Sequence, residues 1–187
     1  PNTGTDLAHT ATTAVPTDDD EAYTLNGVKL WTTNGVIAAL VVVLASVPRS
    51  ETHRGGLSTF IVEIDSPGIT VERRNEFMGL RGIENGVTRF HDVRVPKENL
   101  LGKEGKGLAV ALSTLNVGRL SIPGMSAGAG KWSTKVASEW VAARQSMGKP
   151  IGKYEAIASK VSFMAATTFA LDAIQAMTSI MAAQKRK

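Results

Sequence analysis

The stretch Tyr23-Thr-Leu-Asn-Gly-Val-Lys-Leu-Trp-Thr-Thr-Asn-Gly35 decides the class of the first half of this chain. Tyr23 and Leu25 alternate with polar residues, Asn26-Gly27 follows, and Val28, Leu30 and Thr32 resume the alternation. Asn-Gly supplies the positive φ angles of a tight primed turn, so the pattern predicts a β-hairpin over Ala22–Thr32. Downstream, Val36–Val47 is a nearly unbroken apolar run rich in β-branched residues. It predicts a buried strand from about Leu40 and is too short to cross a bilayer. Thr59–Glu63 and Ile69–Arg73 read as strands separated by the turn signal Ser66-Pro67-Gly68, and Gly86–Val95 as another ending at Pro96.

After Gly102 the strand pattern stops. Leu108, Leu112, Leu115 and Ile122 recur at helical spacing, and Trp132, Val136 and Trp140 follow at steps of four. Pro123-Gly124 either kinks one long helix or splits it in two. Gly148 and Pro150 mark a break, and a last helix is expected from about Tyr154 to Gln184. Val161–Ala183 carries one charge, Asp172, and several hydroxyls, so it reads as a helix buried on several faces rather than a membrane span. Charge changes at the same place. Residues 1–100 hold 9 Lys+Arg against 13 Asp+Glu, and residues 101–187 hold 12 against 4, giving net −4 and net +8. The expected fold is α+β: an antiparallel β-barrel or sandwich over 1–102, then helices of an incomplete four-helix bundle over 103–187.

Composition narrows function. None of the 187 residues is cysteine, which excludes disulfide scaffolds, thiol catalysis and iron–sulfur ligation by Cys. His9, His53 and His91 have no metal spacing and are read as surface or packing residues, so no metal site is expected. Asp18-Asp19-Asp20-Glu21 lacks the spacing of a calcium loop and reads as a solvated turn. Between Gly124 and Gly130 stand five residues where a phosphate loop needs four, and Trp132 replaces its hydroxyl. Small residues that let helices approach closely explain these glycines better. Gly102-Lys-Glu-Gly-Lys-Gly107 lacks the dinucleotide-binding spacing and reads as a loop entering a helix. Basic residues are scattered without interleaved stacking aromatics, so no nucleic-acid partner is expected. Two segments remain. Trp31-Thr32-Thr33-Asn34-Gly35 offers a planar surface beside hydroxyls, as a flat polar heterocycle requires; packing is the competing role for Trp31. Arg144-Gln145-Ser146, between two helices, suits a pyrophosphate, with helix capping as the competing role.

Taken in order, these segments resemble the acyl-CoA dehydrogenase family. Tyr23–Gly35 is similar to the family's YxLNGxKxWxTNG segment. Pro67-Gly-Ile69, Met78-Gly-Leu-Arg81, Phe90-His-Asp-Val-Arg-Val-Pro96, Asn99-Leu-Leu-Gly102, Gly105-Lys-Gly107, Leu115-Asn-Val-Gly-Arg119 and Arg144-Gln-Ser-Met-Gly-Lys-Pro150 follow in the family's order. The resemblance covers essentially the whole chain. It implies the middle β domain plus the first helices of the C-terminal domain.

The resemblance also implies roles. Pro1–Asp6 resembles the EPxxGSD segment, so Gly4 and Thr5 would meet FAD, and Thr5 also the substrate. Trp31 would pack at the flavin, with Thr32 beside it and Thr33 hydrogen-bonding the ring's reactive edge. Asn116, where Asp is common, and Arg119 would lie at the acyl-CoA substrate. Arg144, Gln145 and Ser146 would hold FAD phosphates, usually of a neighbouring subunit. Tyr154 and Glu155 stand where the family often has His-Gln at FAD. The implied reaction is α,β-dehydrogenation of an acyl-CoA, with electron-transfer flavoprotein as electron acceptor and a homo-oligomer, dimer or tetramer, as the assembly. The implied location is bacterial cytoplasm or mitochondrial matrix, not secreted. The catalytic glutamate is expected beyond Lys187, because the alternative family position is Gly118 here. The chain by itself is therefore expected to be inactive. The alternatives are a related flavin oxidase or monooxygenase, or a non-catalytic assembly module.

Overall fold

The computed structural model describes residues 5–184. The chain forms two compact units, Pro1–Ser113 and Thr114–Lys187.

The first unit is a six-stranded sheet of β1 (Thr13–Pro16), β2 (Ala22–Thr33), β3 (Leu40–Val47), β4 (Gly56–Glu63), β5 (Ile69–Arg74) and β6 (Asn85–Pro96). The order is β4-β3-β1-β2-β6-β5. The sheet is open, with β4 and β5 at its edges, so the sandwich-like arrangement holds and a closed barrel does not. One pairing departs from the antiparallel expectation: β1 runs parallel to β3 through Thr13 and Ser46. Although three strands lie between them in the sheet, β4 and β6 touch. The sheet therefore curls over its own apolar face. Tyr23, Leu25, Val43, Ala45, Val47, Phe60, Val62, Phe90, Val93 and Val95 fill the inside.

Three local readings change. The expected hairpin over Ala22–Thr32 is instead one continuous strand, β2. Asn26-Gly27 lies opposite a bulge in β6: Leu25 pairs with Val93 but Gly27 with Phe90, leaving one extra residue on β6. Asp92 takes that bulge with a φ of 49°, and Asn26 answers it twice. Its amide donates to Asp92 Oδ1 at 2.9 Å, and its oxygen accepts from the Asp92 N–H at 2.9 Å. Gly27 is required because an added Cβ would sit 2.7 Å from Thr12 Oγ1. Second, β3 is not buried throughout. Its burial alternates, and Val42 is 64% exposed, because this sheet is covered within the unit on one face only. Third, β1 had no recognisable signal in its four residues. Beyond β6 the chain crosses back over β4, Leu101 N–H donating to Thr59 O at 2.7 Å.

In the second unit, α1 (Gly107–Ala143), which begins in the first unit, runs unbroken through Pro123. The proline leaves the Arg119 carbonyl without its helical N–H donor but does not split the helix. A two-residue hairpin follows, β7 (Gln145–Ser146) with β8 (Lys149–Pro150), and then α2 (Glu155–Gln184). The two helices form an antiparallel hairpin. Lys131 Nζ meets Asp172 Oδ1 at 2.7 Å, and Thr134 and Thr168 share a hydroxyl hydrogen bond of 3.3 Å. Gly130 lies where a Cβ would come within 2.9 Å of Thr168 Oγ1, which accounts for that small residue. Burial of α2 on several faces was expected, yet none of its described residues is buried within the chain. By length and hydropathy α2 is also apolar enough to cross a membrane.

Candidate functional site

Around Trp31 the register of β2 shifts again. Lys29 pairs with Thr88 and Thr32 with Gly86, so β2 here carries the extra residue. Trp31 occupies this bulge with a φ of 58°, a left-handed conformation unfavourable for a bulky side chain. Its indole is 63% exposed, and it stacks on Phe77, ring centroids 6.1 Å apart. Thr32 turns inward: its methyl occupies the space a Cβ on Gly35 would need, and its hydroxyl faces Lys29 O at 3.5 Å. Thr33 is exposed and accepts a hydrogen bond from Asn85 Nδ2 at 2.9 Å. A cleft of about 440 Å³ opens beside this strand end, lined by Arg74, Asn75, Phe77, Arg81, Glu84 and Asn85. Thr5 lies at an exposed bend ahead of a 3-10 turn at Leu7–His9. Gly4 lies outside the described residues.

The second unit gathers the other candidates. Met147 and Gly148 both have positive φ, 48° and 77°, the geometry of a primed turn. This turn closes the hairpin that carries Gln145 and Ser146, with Arg144 joining it to α1. The hairpin is pinned at its base by Ile151 N–H donating to Arg144 O at 2.8 Å. Tyr154 Oη donates to Ser146 O at 2.8 Å, and Lys149 Nζ lies 4.3 Å from the Tyr154 ring centroid. Glu155 begins α2, where its negative charge complements the helix dipole. So Arg144, Gln145, Ser146, Tyr154 and Glu155 form one exposed corner. Asn116 and Arg119 lie one turn apart on α1, Arg119 Nη1 donating to Asn116 Oδ1 at 3.1 Å.

Two groupings had no signal in the linear sequence. One is the pair Asn75 and Asn85 behind Thr33. The other surrounds His53, whose side chain is only 11% exposed. Its Nδ1 meets Glu104 Oε2 at 2.7 Å and its Nε2 meets Asp20 Oδ1 at 3.2 Å. Tyr23 Oη donates to Glu104 at 3.1 Å, and the Gly55 N–H donates to its other oxygen at 2.6 Å. Burial pushes the Glu104 carboxyl up, but the donors from His53, Gly55 and Tyr23 outweigh it and leave it below its ordinary value. Burial, then the adjacent Glu104 carboxylate, push the Tyr23 phenol up to about 12. The three segments involved, at residues 20–23, 53–55 and 104, are tens of positions apart, so only folding brings them together. Among the described residues no group of three or more His, Asp or Glu side chains is arranged to hold a metal ion.

Comparison with known proteins decides the family. The description "Acyl-CoA dehydrogenase, middle domain" matches residues 1–93, and "Acyl-CoA dehydrogenase, C-terminal domain" matches residues 105–186. The chain belongs to the acyl-CoA dehydrogenase family. The probable acyl-CoA dehydrogenase FadE10 of Mycobacterium tuberculosis is 63% identical over 186 residues, covering 100% of this chain and 29% of the relative. An acyl-CoA dehydrogenase of Bacillus anthracis, solved in complex with FAD, superposes with a TM-score of 0.83 at 33% identity, covering 91% of this chain and 28% of that one. The prolyl acyl carrier protein oxidase AnaB superposes with a TM-score of 0.90 at 29% identity, covering 99% and 48%. The chain thus spans less than half the length of each of these acyl-CoA dehydrogenase relatives. Within the acyl-CoA dehydrogenase frame, the Trp31 bulge lies in the middle-domain match and the Arg144 corner in the C-terminal match.

Proposed function

We propose that this chain is part of an FAD-dependent acyl-CoA dehydrogenase that oxidises acyl-CoA thioesters to α,β-unsaturated products in fatty or branched acyl catabolism. The observation that carries this reading is the Trp31 bulge. A tryptophan held in a left-handed conformation, backed by Phe77 and largely exposed, presents its indole beside an exposed threonine hydroxyl. A flat ring with polar edges fits that pair: the indole supplies stacking and Thr33 supplies a directed hydrogen bond. The fit extends to a diphosphate. Arg144, a permanent cation, stands two residues before Ser146 at the base of a hairpin stiffened by its primed turn and by Tyr154.

In this reading Trp31, Thr32 and Thr33 hold the flavin, joined by Gly4 and Thr5. Arg144, Gln145, Ser146, Tyr154 and Glu155 hold the phosphates and adjoining groups of an FAD bound by a neighbouring subunit. Thr5, Asn116 and Arg119 orient the acyl-CoA. FAD, when bound, supplies hydride acceptance from the substrate's β-carbon. Gly118 precedes Arg119, so that position supplies no α-proton base. The functional boundary lies at 102/103. Electrons pass to electron-transfer flavoprotein. The apolar faces of α2 are covered in a homo-oligomer, dimer or tetramer, rather than by lipid; Asp172, paired with Lys131, supports this. The cytoplasm or mitochondrial matrix is the matching compartment.

Anaerobic titration of the full-length protein with acyl-CoAs of graded chain length is the test. Bleaching of a bound flavin by at least one of them is expected, and absence of flavin or of any bleaching would sink the reading. The similarity to an acyl carrier protein oxidase favours a second reading, an oxidase. Oxygen consumption stoichiometric with substrate, without added acceptor, would favour that one.

A further inference from the structure

We propose that Asn85, oriented by Asn75, is a positioning residue that fixes the Thr33 hydroxyl as a hydrogen-bond donor toward the ring bound beside Trp31. The inference rests on the proposed flavin contact of Trp31–Thr33.

The pairing of β2 with β6 sets Thr33 directly opposite Asn85. Asn85 is only 4% exposed, so its amide must satisfy itself within the protein. Its oxygen accepts from Asn75 Nδ2 at 2.7 Å, and its backbone carbonyl accepts from the Asn75 N–H at 2.8 Å. With the oxygen taken by Asn75, the side of the amide facing Thr33 is the N–H side, and Nδ2 donates to Thr33 Oγ1 at 2.9 Å. An amide N–H accepts nothing. The threonine proton is therefore turned away from Asn85, and among the described residues it has no protein acceptor. Thr33 is exposed, so that proton is presented to whatever lies against Trp31. With Asn75 donating as it does, turning the Asn85 amide alone would set its Nδ2 against the Asn75 Nδ2, two donors face to face. A hydroxyl free to rotate is thereby made a donor of fixed direction, and its ordering is accomplished before the ligand arrives.

The test is a double-mutant cycle in the full-length flavoprotein, read by FAD dissociation constant, by the visible band position of the bound flavin, and by thermal melting. Asn85→Asp keeps the shape but presents only acceptors, so Thr33 must donate inward. We expect it to weaken FAD binding about three- to tenfold, the equivalent of one net hydrogen bond. The flavin band should move to its position in Thr33→Val. Added to Thr33→Val, Asn85→Asp should change the FAD dissociation constant by less than about twofold and leave the flavin band where it is. Equal losses in both backgrounds would show a merely structural Asn85 and overturn the proposal. If Asn85→Asp fails to fold, Asn75→Leu removes the orienting donor while keeping Asn85. It should move the band only where Thr33 is present, and an unmoved band overturns the proposal. A Thr33→Val protein with an unmoved band would overturn the proposed flavin contact as well, whereas a band moved by Thr33→Val alone overturns only the role of Asn85.

Discussion

The Trp31 indole stacks on the Phe77 ring with centroids 6.1 Å apart and planes inclined by 25°. One face of the indole is thus occupied by the protein, and the backbone that aims it is held in a left-handed conformation. That conformation costs a bulky residue about 1–2 kcal/mol, and glycine essentially nothing. Trp31→Gly should therefore keep thermal stability close to the parent, the relieved backbone offsetting the lost stacking. Trp31→Val should be less stable than Trp31→Gly by about 1–2 kcal/mol in urea melts, because a β-branched residue fits the bulge worse. Both should lower FAD affinity more than about tenfold. Retained affinity in either would remove Trp31 from the site.

Lys29 offers a pH signature. Its ammonium donates to Leu44 O at 2.7 Å and to Thr10 Oγ1 at 3.2 Å, and among the described residues it has no carboxylate partner. Burial alone lowers its pKa to about 8. Between about pH 8 and the ordinary lysine value near 10.5, the unfolded chain binds more protons than the folded one. Stability contributed by this site therefore rises with pH across that window. The parent should gain roughly 2 kcal/mol between pH 7 and pH 10. Lys29→Met should lose that gain, measured by urea melts at both pH values.

Glu104 and Tyr23 bound the pH range on either side. The depressed Glu104 pKa contributes stability that is present above its ordinary value of 4.5 and lost as pH falls through the folded value. Glu104→Gln should therefore flatten the acid limb of the stability profile below about pH 5. It should also cost on the order of 1–3 kcal/mol at pH 7, because His53 and the Gly55 N–H lose a charged acceptor. The raised Tyr23 pKa acts oppositely. Its contribution is complete below pH 10 and fades as pH rises toward about 12. Tyr23→Phe should remove that alkaline loss and also shrink the acid limb, because its hydroxyl is one of the donors that lower the Glu104 pKa.

Thr88 is fully buried in β6, and among the described residues its Oγ1 has no hydrogen-bond partner. Desolvating a hydroxyl without compensation is unfavourable, and valine has nearly the same shape. Thr88→Val should raise stability by about 1 kcal/mol, read as a higher melting temperature of the full-length protein. A lower one would imply a partner for that hydroxyl.

Much of the local order was legible in the chain. Glycine and proline punctuation placed the ends of β4, β5, β6 and α2 within a few residues, because those residues restrict φ wherever they stand. The hairpin expectation failed for a physical reason. Asn26-Gly27 has the chemistry of a primed turn, but the same freedom serves a strand facing a bulge, and the extra residue that decided the matter sits 65 positions away at His91-Asp92. The apolar run at Val36–Val47 likewise misled, since hydropathy does not say how many faces of a sheet are covered. At the site, Trp31 and Thr33 stood out by residue type. Asn75, Asn85 and Phe77 did not, because asparagine and phenylalanine are common and their use here depends on a partner far along the chain.

By itself, then, the sequence determined the succession of strands and helices, the absence of thiol chemistry and the ordered motifs shared with acyl-CoA dehydrogenases. The first two follow from covalent geometry, periodicity and composition and the motifs from resemblance, and all of them are properties of single segments. Tertiary structure alone decided the open curled sheet, the direction in which Trp31 points and the donor polarity of the Thr33 hydroxyl. Each of these depends on register between strands, and register is a property of pairs: a bulge exists only as a mismatch between two strands, and a hydroxyl proton is aimed only by the neighbour that occupies its lone pair.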